Sequence, residues 1–483
     1  MNSVKKALEN TFFISLSWII TTLGGFLFWL IAGKFLNQQD YGIALTATSL
    51  GFFIISVITL GLPSALSKLI PEYKSRKKYE KIKEMITLSL SIILFANILT
   101  ISILIILKNQ IMSLIKVSEN IYYLIIIYVF VGSFSTTFYN ITYSFQEMKK
   151  YFIVGSISVL SKLIIATTIL FLGFRYFGPI IGIIFSSIIT LILCFPKKRL
   201  KKIKSFFDED LFKYAITGFI GALVASMLTN FHYTIVTILK SNVNTGIFGV
   251  AMMVSSVTSA IPYILNISIY PIISETFRTK SKKIIPILVE NTIKYSILFG
   301  IPLIITFLIL SNFIVLSFSS YKFLDSARLV PILTLATFFL SISNIFVNTL
   351  FAIRKPKIYI KILLFTALIF ILLTIPLTYF YSEFGMSVGY LITNIIYFIL
   401  SLYQVRKFVD FGINIKKVLS IFVASTSFII LYLAKPNTIF SVIFYTSLNF
   451  IVYFIILFLL NFFSKEDYEI IKYFAKKLKF NQK

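Results

Sequence analysis

The chain of 483 residues contains a single cysteine, Cys194, and a single histidine, His232. One cysteine cannot form an intramolecular disulfide or a Cys-x-x-Cys site. One histidine excludes zinc clusters, the His-Glu-x-x-His motif and Cys/His dyads of the usual kind. A Walker phosphate-binding loop is also missing, so the chain has no motif for direct use of ATP. We therefore expect neither a metal nor a cofactor, and the chain is not expected to be an enzyme.

Acidic residues are scarce as well. The sequence has 18 Asp and Glu against 46 Lys and Arg, which gives a formal net charge of +28. Such an excess can mark a nucleic-acid-binding protein. No aromatic and basic module of an RNA-binding domain accompanies it here, and the positive charges are distributed in another way. We expect no nucleic-acid partner.

Long apolar runs dominate what is present. Hydrophobic residues make up 58% of the chain, and the mean hydropathy is +0.92. About 20 apolar residues in helical form cross the hydrocarbon core of a bilayer, whereas strands of a membrane barrel alternate and run about 10 residues. The first run follows Lys5 and Lys6 and is too long for a signal peptide, so we interpret it as a retained span. Fourteen such stretches predict an all-α polytopic membrane protein, near residues 12–33, 43–67, 85–107, 121–145, 151–173, 178–195, 214–239, 247–272, 290–311, 328–352, 358–381, 384–404, 417–434 and 438–463.

The positive charges alternate with the spans. Both termini and every second connection carry 37 of the 46 Lys and Arg, the remaining connections carry 8, and Lys162 lies inside a span. The positive-inside rule then predicts a multi-pass protein of the cell membrane with both termini in the cytoplasm. Clusters such as "PKKRLKKIK" (196–204) are interpreted as topology signals and contacts to anionic lipid head groups.

An internal repeat is visible at a spacing of 207 residues. "YGIALTATSL" from Tyr41 pairs with "FGVAMMVSSV" from Phe248, and "FGPIIG" from Phe177 pairs with "FGMSVG" from Phe384. Six spans per repeat give both copies the same orientation, so they predict two six-helix lobes around a central cavity, an arrangement suited to alternating access. The predicted limits are 1–204 for the N-lobe, 205–411 for the C-lobe, and 412–483 for two further spans and a basic cytoplasmic tail.

Three motifs resemble a known family. The segments 37–73, 246–275 and 318–333 are similar to the second, eighth and tenth helices of the polysaccharide flippases in the multidrug/oligosaccharidyl-lipid/polysaccharide superfamily. The tenth-helix motif departs from the family pattern, with Ser where Gly is usual. That resemblance implies movement of a polyprenyl- or dolichyl-diphosphate-linked oligosaccharide from the cytoplasmic to the outer leaflet, by a protein that we expect to act as a monomer. The matching residues are Tyr41, Gly42, Gly61, Leu62, Ala65, Lys68, Phe248, Gly249, Ala251 and Pro271.

Polar side chains in spans 1 and 7 are candidate cavity residues. Hydroxyls, amides and aromatic faces suit the recognition of sugars, although Ser and Thr also pack helices together in membranes. Ser226, Asn230, Tyr233 and Thr237 follow one helical face at i, i+4, i+7 and i+11. The other candidates are Trp18, Thr22 and His232.

Lys162 is the remaining candidate, a lysine with at least eleven residues of apolar pattern on either side. Left facing lipid it would cost at least about 2.5 kcal/mol. Two explanations stay open: an ammonium folded onto backbone carbonyls and Ser158, or a mobile positive charge facing the cavity for a diphosphate or an acidic sugar.

Two other functions remain as alternatives. A drug or metabolite antiporter of the same superfamily commonly needs a titratable group in its cavity, yet all Asp and Glu fall near helix ends or in connections. A membrane enzyme for glycans usually has a sizeable outer loop with acids or bases, and the predicted outer turns are short. The flippase is the favoured hypothesis.

Overall fold

The computed structural model describes residues 2–196, 200, 208–278, 284–412, 414–434, 436, 438–464 and 467. Within these ranges the regular structure is helical, and short π or 3₁₀ turns interrupt some helices. The helices are α1 Asn2–Phe35, α2 Gln38–Ile58, α3 Leu62–Ser75, α4 Tyr79–Ile106, α5 Lys108–Ile115, α6 Glu119–Ser144, α7 Met148–Phe171, α8 Phe177–Cys194, α9 Glu209–Ser226, α10 His232–Leu239, α11 Asn242–Ser255, α12 Ala260–Arg278, α13 Ile284–Ile309, α14 Ser311–Phe318, α15 Val330–Ala352, α16 Pro356–Arg406, α17 Ile415–Ser425, α18 Ile429–Ala434 and α19 Ile439–Leu459.

Thirteen of the described helical segments are long and apolar enough to cross a membrane. A helix satisfies its own backbone hydrogen bonds, which is what the hydrocarbon core demands. The 51-residue α16 reverses direction at Ser382, whose φ is +56°, and Gly385 after the reversal touches the Leu377 carbonyl before it. Two spans therefore lie within α16, and the prediction of an all-α protein with about fourteen spans is confirmed.

The connections cluster at two ends of the bundle. We call the end that holds connections 76–78, 145–147 and 353–355 the basic end, and the other the opposite end. At the basic end the Lys74 ammonium donates to the Phe145 carbonyl at 3.2 Å. At the opposite end Asn242 donates to the Lys116 carbonyl at 2.8 Å.

The helices up to α8 and those from α9 to α16 form two halves with corresponding contacts. Helix α6 packs on α8 as α15 packs on α16, and α2 packs on α6 as α11 packs on α15. The turn after α6 and the turn after α15 have the same hydrogen-bond pattern. The Gln146 amide donates to the Tyr143 carbonyl, and the Arg354 amide donates to the Phe351 carbonyl. Gln146 and Arg354 also have similar φ values, +61° and +60°. These positions differ by 208 residues, one more than the spacing of the sequence motifs.

The predicted lobe limits stay a prediction. The boundary at 204/205 and most of the basic cluster 196–204 lie outside the described residues, as does nearly all of the basic tail. Helices α17 and α19 pack on each other, and α17 packs on α13. The Tyr453 hydroxyl of α19 donates to the Leu298 carbonyl of α13 at 2.8 Å, which ties this pair of spans to the second half.

Candidate functional site

A cavity of about 600 Å³ lies between the two halves, in the part of the bundle nearer the basic end. Helices α1, α6 and α7 line one side, and α12, α15 and α16 line the other. The lining residues are Ile14, Ser15, Ser17, Trp18, Thr21, Tyr143, Tyr151, Asn266, Ile267, Ser268, Tyr270, Asn348, Phe351 and Tyr359.

Aromatic rings form the most prominent part of this lining. Tyr143 and Tyr151 lie with ring centroids 5.5 Å apart on one side, and their counterparts Phe351 and Tyr359 lie 5.1 Å apart on the other. Both pairs are 208 residues apart in sequence, so the repeat presents similar aromatic pairs from both halves. Tyr270 also stacks on Phe351, at 6.5 Å and 18°.

The cavity lining carries no carboxyl, ammonium, guanidinium or imidazole group. None of its residues, all of them in the described ranges, is Asp, Glu, Lys, Arg or His. Its polar groups are hydroxyls and the side-chain amides of Asn266 and Asn348, which both donate and accept hydrogen bonds. Such a lining suits a polar, uncharged ligand with hydroxyl groups and flat apolar faces.

The opposite end is closed where α2 crosses α11. A Cβ atom on Gly42 would overlap the Asn242 carbonyl, and one on Gly246 would overlap the Gln38 carbonyl. The absence of side chains at these two glycines lets the backbones of the two halves touch. Gly42 belongs to the aromatic-Gly motif that the sequence repeats at Phe248.

A row of buried hydroxyls continues this closure. The Thr46 and Thr237 oxygens lie 2.5 Å apart, and those of Ser49 and Thr234 lie 2.6 Å apart, each pair joining α2 to α10. Thr237 also lies 2.6 Å from the hydroxyl of Thr245 on α11. These side chains hold the halves together away from the cavity.

Of the predicted candidates, Trp18 lies in the cavity lining. Its indole ring stacks on Tyr263 of α12 with centroids 4.6 Å apart, so it bridges the two halves. Thr22 is exposed and does not line the cavity; its neighbour Thr21 does, with its hydroxyl donating to the Ser17 carbonyl at 2.9 Å. On α1, Thr21 is therefore the threonine on the cavity side, and Thr22 is not.

The candidates of span 7 do not form a single cavity face. A π-helical turn, Met227–Phe231, adds a residue per turn between α9 and α10 and rotates the residues that follow. Asn230 in this turn is half-buried and donates to Thr229 at 2.8 Å. Ser226 and Thr237 are buried, and Tyr233 is half-buried against Phe248. Their roles in substrate binding stay predictions.

His232 is fully buried among aromatic rings. The centroids of Tyr233, Phe248 and Tyr390 lie 4.2, 5.3 and 5.6 Å from its imidazole. The Leu228 carbonyl faces the ring without completing a hydrogen bond, so within the described part of the chain both ring nitrogens lack a partner. This position lies inside the second half and outside the cavity lining.

Lys162 is half-buried on α7, and its ammonium lies 4.7 Å from the ring centroid of Phe28 on α1. Such a cation–π contact is worth about 0.5–2 kcal/mol. The described residues supply no acidic partner for it, and Ser158 donates to the Ser186 carbonyl at 3.0 Å. Lys162 lies within the first half and does not line the cavity in this conformation.

The proposed role of Lys162 has a direct test. If its charge contacts the substrate during transport, we expect Lys162→Gln to insert normally but to lose most transport, with Lys162→Arg partly active because it keeps the charge. Transport rates at equal protein amounts in vesicles measure this. Normal transport by correctly inserted Lys162→Gln would show that the lysine is not a substrate contact.

The sequence analysis missed most of the cavity residues. Tyr151 and Tyr359 are tyrosines that open α7 and α16 at equivalent positions of the repeat, and Asn266 and Asn348 are amides within apolar runs. A comparison of the span ends in the two copies of the internal repeat would have revealed the aromatic pairs Tyr143/Tyr151 and Phe351/Tyr359. The candidates taken from spans 1 and 7 left out the lining residues of span 8, among them Asn266, and those of spans 4, 5, 10 and 11.

The fold is that of membrane transporters with known structures. A structure titled "Lipid II flippase MurJ, inward closed conformation" matches 92% of this chain and 97% of its own, at 19% identity and a TM-score of 0.68. The inward-facing conformation of a multidrug resistance MATE family transporter matches 80% of this chain and 94% of its own, at 11% identity and a TM-score of 0.65.

The family follows from the sequence itself. Residues 7–277 match the family model described as "Polysaccharide biosynthesis protein", and the chain belongs to that family. An uncharacterized membrane protein of Methanocaldococcus jannaschii is 25% identical over 441 residues, which cover 84% of each chain. The resemblance inferred from the motifs is thereby confirmed.

Proposed function

We propose that this chain is a flippase that moves a lipid-diphosphate-linked oligosaccharide from the cytoplasmic to the outer leaflet of the cell membrane, by alternating access, for the synthesis of a surface glycan. The family match and the likeness of its fold to a lipid flippase support this proposal. The proposal also includes that the basic end faces the cytoplasm, that both termini are cytoplasmic, and that the protein acts as a monomer.

The uncharged, aromatic cavity is the observation that carries the proposal. Trp18, Tyr151 and Tyr359 offer flat faces for sugar rings, and Asn266 and Asn348 offer donors and acceptors for sugar hydroxyls. The lining offers no acidic side chain to neutralise a cationic drug, as an antiporter of such drugs commonly does. The cavity therefore favours a glycan over the antiporter alternative.

Reconstituted vesicles test this function. Protein in vesicles loaded with a lipid-linked oligosaccharide on one leaflet should expose the sugar on the other leaflet, where a lectin added outside captures it. Protein-free vesicles and vesicles with heat-denatured protein provide the background. Sugar exposure equal to that background would contradict the proposal.

The orientation gives a separate prediction. In cells, a cysteine at Asp325, which is exposed at the opposite end, should react with an impermeant maleimide from outside, and one at Ser75, exposed at the basic end, should react after the membrane is opened. The native Cys194 is buried and is replaced by alanine in both variants. Reaction of intact cells at Ser75 and not at Asp325 would reverse the proposed orientation.

The driving force gives another prediction. Moving one net negative charge outward gains about 2.3 kcal/mol per 100 mV when the outside is positive. We expect translocation to accelerate under an imposed potential of that sign at zero pH gradient, measured with a potassium diffusion potential in the same vesicles. Acceleration by a pH gradient alone would instead indicate proton coupling.

A further inference from the structure

The proposed substrate carries a diphosphate, and the cavity lining has no cation to bind it. We infer that the diphosphate is held at the rim of the cavity, by basic side chains of the two repeat-related turns at 145–150 and 353–357. This inference rests on the proposed function and adds to it a binding site for the head group. We call the four side chains concerned, Lys149, Lys150, Arg354 and Lys357, the rim cations.

The position of the two turns follows from the cavity residues at their ends. Tyr143 and Tyr151 line the cavity on either side of the first turn, and Phe351 and Tyr359 do so on either side of the second. Since both ends of each turn border the cavity, both turns lie at its edge. The cavity thus has one basic turn from each half at its edge, and the rim cations themselves lie just outside its lining.

The repeat makes the two turns structurally alike. The Tyr151 amide donates to the Glu147 carbonyl at 2.9 Å, and the Tyr359 amide donates to the Lys355 carbonyl at 3.2 Å. With this offset of 208 residues, Lys149 and Lys357 occupy equivalent places, each in the second position of its helix. One lysine from each half therefore lies in the helix turn that carries a cavity tyrosine, in a nearly symmetric way.

The rim cations are available to a ligand. All four are exposed, and the described part of the chain places no acidic group in an ion pair with them. Lys355 differs, because its ammonium lies 4.6 Å from the ring centroid of Phe408. Arg354 can bond two phosphate oxygens at once, and the lysines add mobile charges with three donors each.

The first turn also borders a groove that suits a lipid head group. The residues that line a space of about 470 Å³ here are Asn10, Phe13, Gln146, Glu147, Met148, Lys149, Lys150 and Ile153. The groove combines two ammonium groups and one carboxyl group with apolar side chains, and Ile153 is 42% exposed on the surface of α7. A diphosphate here would have its sugar at the aromatic cavity and its lipid chain along apolar surface.

If the diphosphate first binds at the rim, Lys162 can contact it only at a later step of transport. Lys162 lies twelve residues beyond Lys150 on α7, about 18 Å along the helix axis. A lysine side chain cannot span that distance. A diphosphate held at the rim is therefore out of reach of Lys162 in this conformation.

The test measures binding of farnesyl diphosphate and farnesyl monophosphate to the full chain in nanodiscs of phosphatidylcholine. We expect the variant with all four rim cations changed to Gln to bind the diphosphate about tenfold or more weakly, equivalent to about 1.4 kcal/mol. Lys77→Gln/Lys78→Gln is the matched control, because these lysines are exposed in a turn of the same end and do not border the cavity. The control should bind like wild type.

Several results would overturn the inference. Unchanged diphosphate binding by the four-site variant would do so, as would an equal loss in the Lys77/Lys78 control, since that would reflect general charge at the membrane surface. Nanodiscs with phosphatidylglycerol provide a second arm: competition by this lipid as strong as by farnesyl diphosphate would assign the rim to bulk anionic lipid.

The outcomes keep the rim site and the proposed function apart. If wild type and the four-site variant both translocate the lipid-linked oligosaccharide and bind the diphosphate equally, the rim site is wrong and the function stands. If wild type binds farnesyl diphosphate through the rim cations but translocates no oligosaccharide, the function is wrong and the rim site stands.

Discussion

Gly42→Val is expected to abolish transport and to change which side of the membrane reaches the cavity. The new side chain would collide with the Asn242 carbonyl, because the α2 and α11 backbones touch at this glycine. Overpacking of this kind typically costs about 1–3 kcal/mol. That cost falls on the conformation closed at the opposite end, so the equilibrium should move toward a conformation open there.

Cysteine accessibility distinguishes this shift from misfolding. A cysteine at Ser268 in the cavity lining should react from the basic side in an otherwise wild-type protein. In Gly42→Val it should react more slowly from that side and faster from the other. Gly25→Val is the control, since a Cβ atom on Gly25 of α1 meets no atom within 4 Å. Normal transport by Gly42→Val would show that this crossing does not open during the cycle.

Trp18→Ala is expected to reduce oligosaccharide translocation about tenfold. The indole lines the cavity and stacks on Tyr263 across the gap between the halves. Its loss removes an aromatic face for a sugar ring and one bridge between the halves. Aromatic pairs contribute about 0.5–1.5 kcal/mol beyond their buried area, so a factor of ten in rate is the expected scale.

Two further variants make the Trp18 result specific. Trp18→Phe should retain an intermediate rate, because it keeps a smaller ring at the same place. Phe12→Ala on the same helix should transport normally, since Phe12 is 61% exposed and does not line the cavity. Equal rates for Trp18→Ala and wild type, at equal amounts of inserted protein, would exclude the indole from the transport path.

Most of the fold was predictable because the membrane restricts what a chain can do. Runs of about 20 apolar residues leave few options besides spanning helices, and Lys and Arg mark alternate connections. The repeat was visible because Gly42 and Gly249 both lie at close helix contacts, Gly42 against the Asn242 backbone and Gly249 against the Leu45 side chain. The break after α2 at Gly61 was not predicted, since apolar residues continue on both sides of it.

The cavity was harder to predict, for two physical reasons. Polar residues in spans serve packing as well as binding, and Thr237 illustrates this: its hydroxyl joins the halves at the closed end. The π-helical turn Met227–Phe231 then shifts the register of span 7, which no apolar pattern reveals. Trp18 was found because it lies among the polar residues of span 1 and has an aromatic face suited to sugars.

The central claim is that the uncharged aromatic cavity carries a glycan. The most direct measurement places a lipid-linked oligosaccharide and a cationic dye in parallel vesicle preparations with wild-type and Trp18→Ala protein, and records the rate at which each crosses. The account predicts that wild type translocates the oligosaccharide well above the protein-free rate, that Trp18→Ala slows it about tenfold, and that the dye stays at background. Rapid protein-dependent movement of the dye without movement of the oligosaccharide would contradict the account.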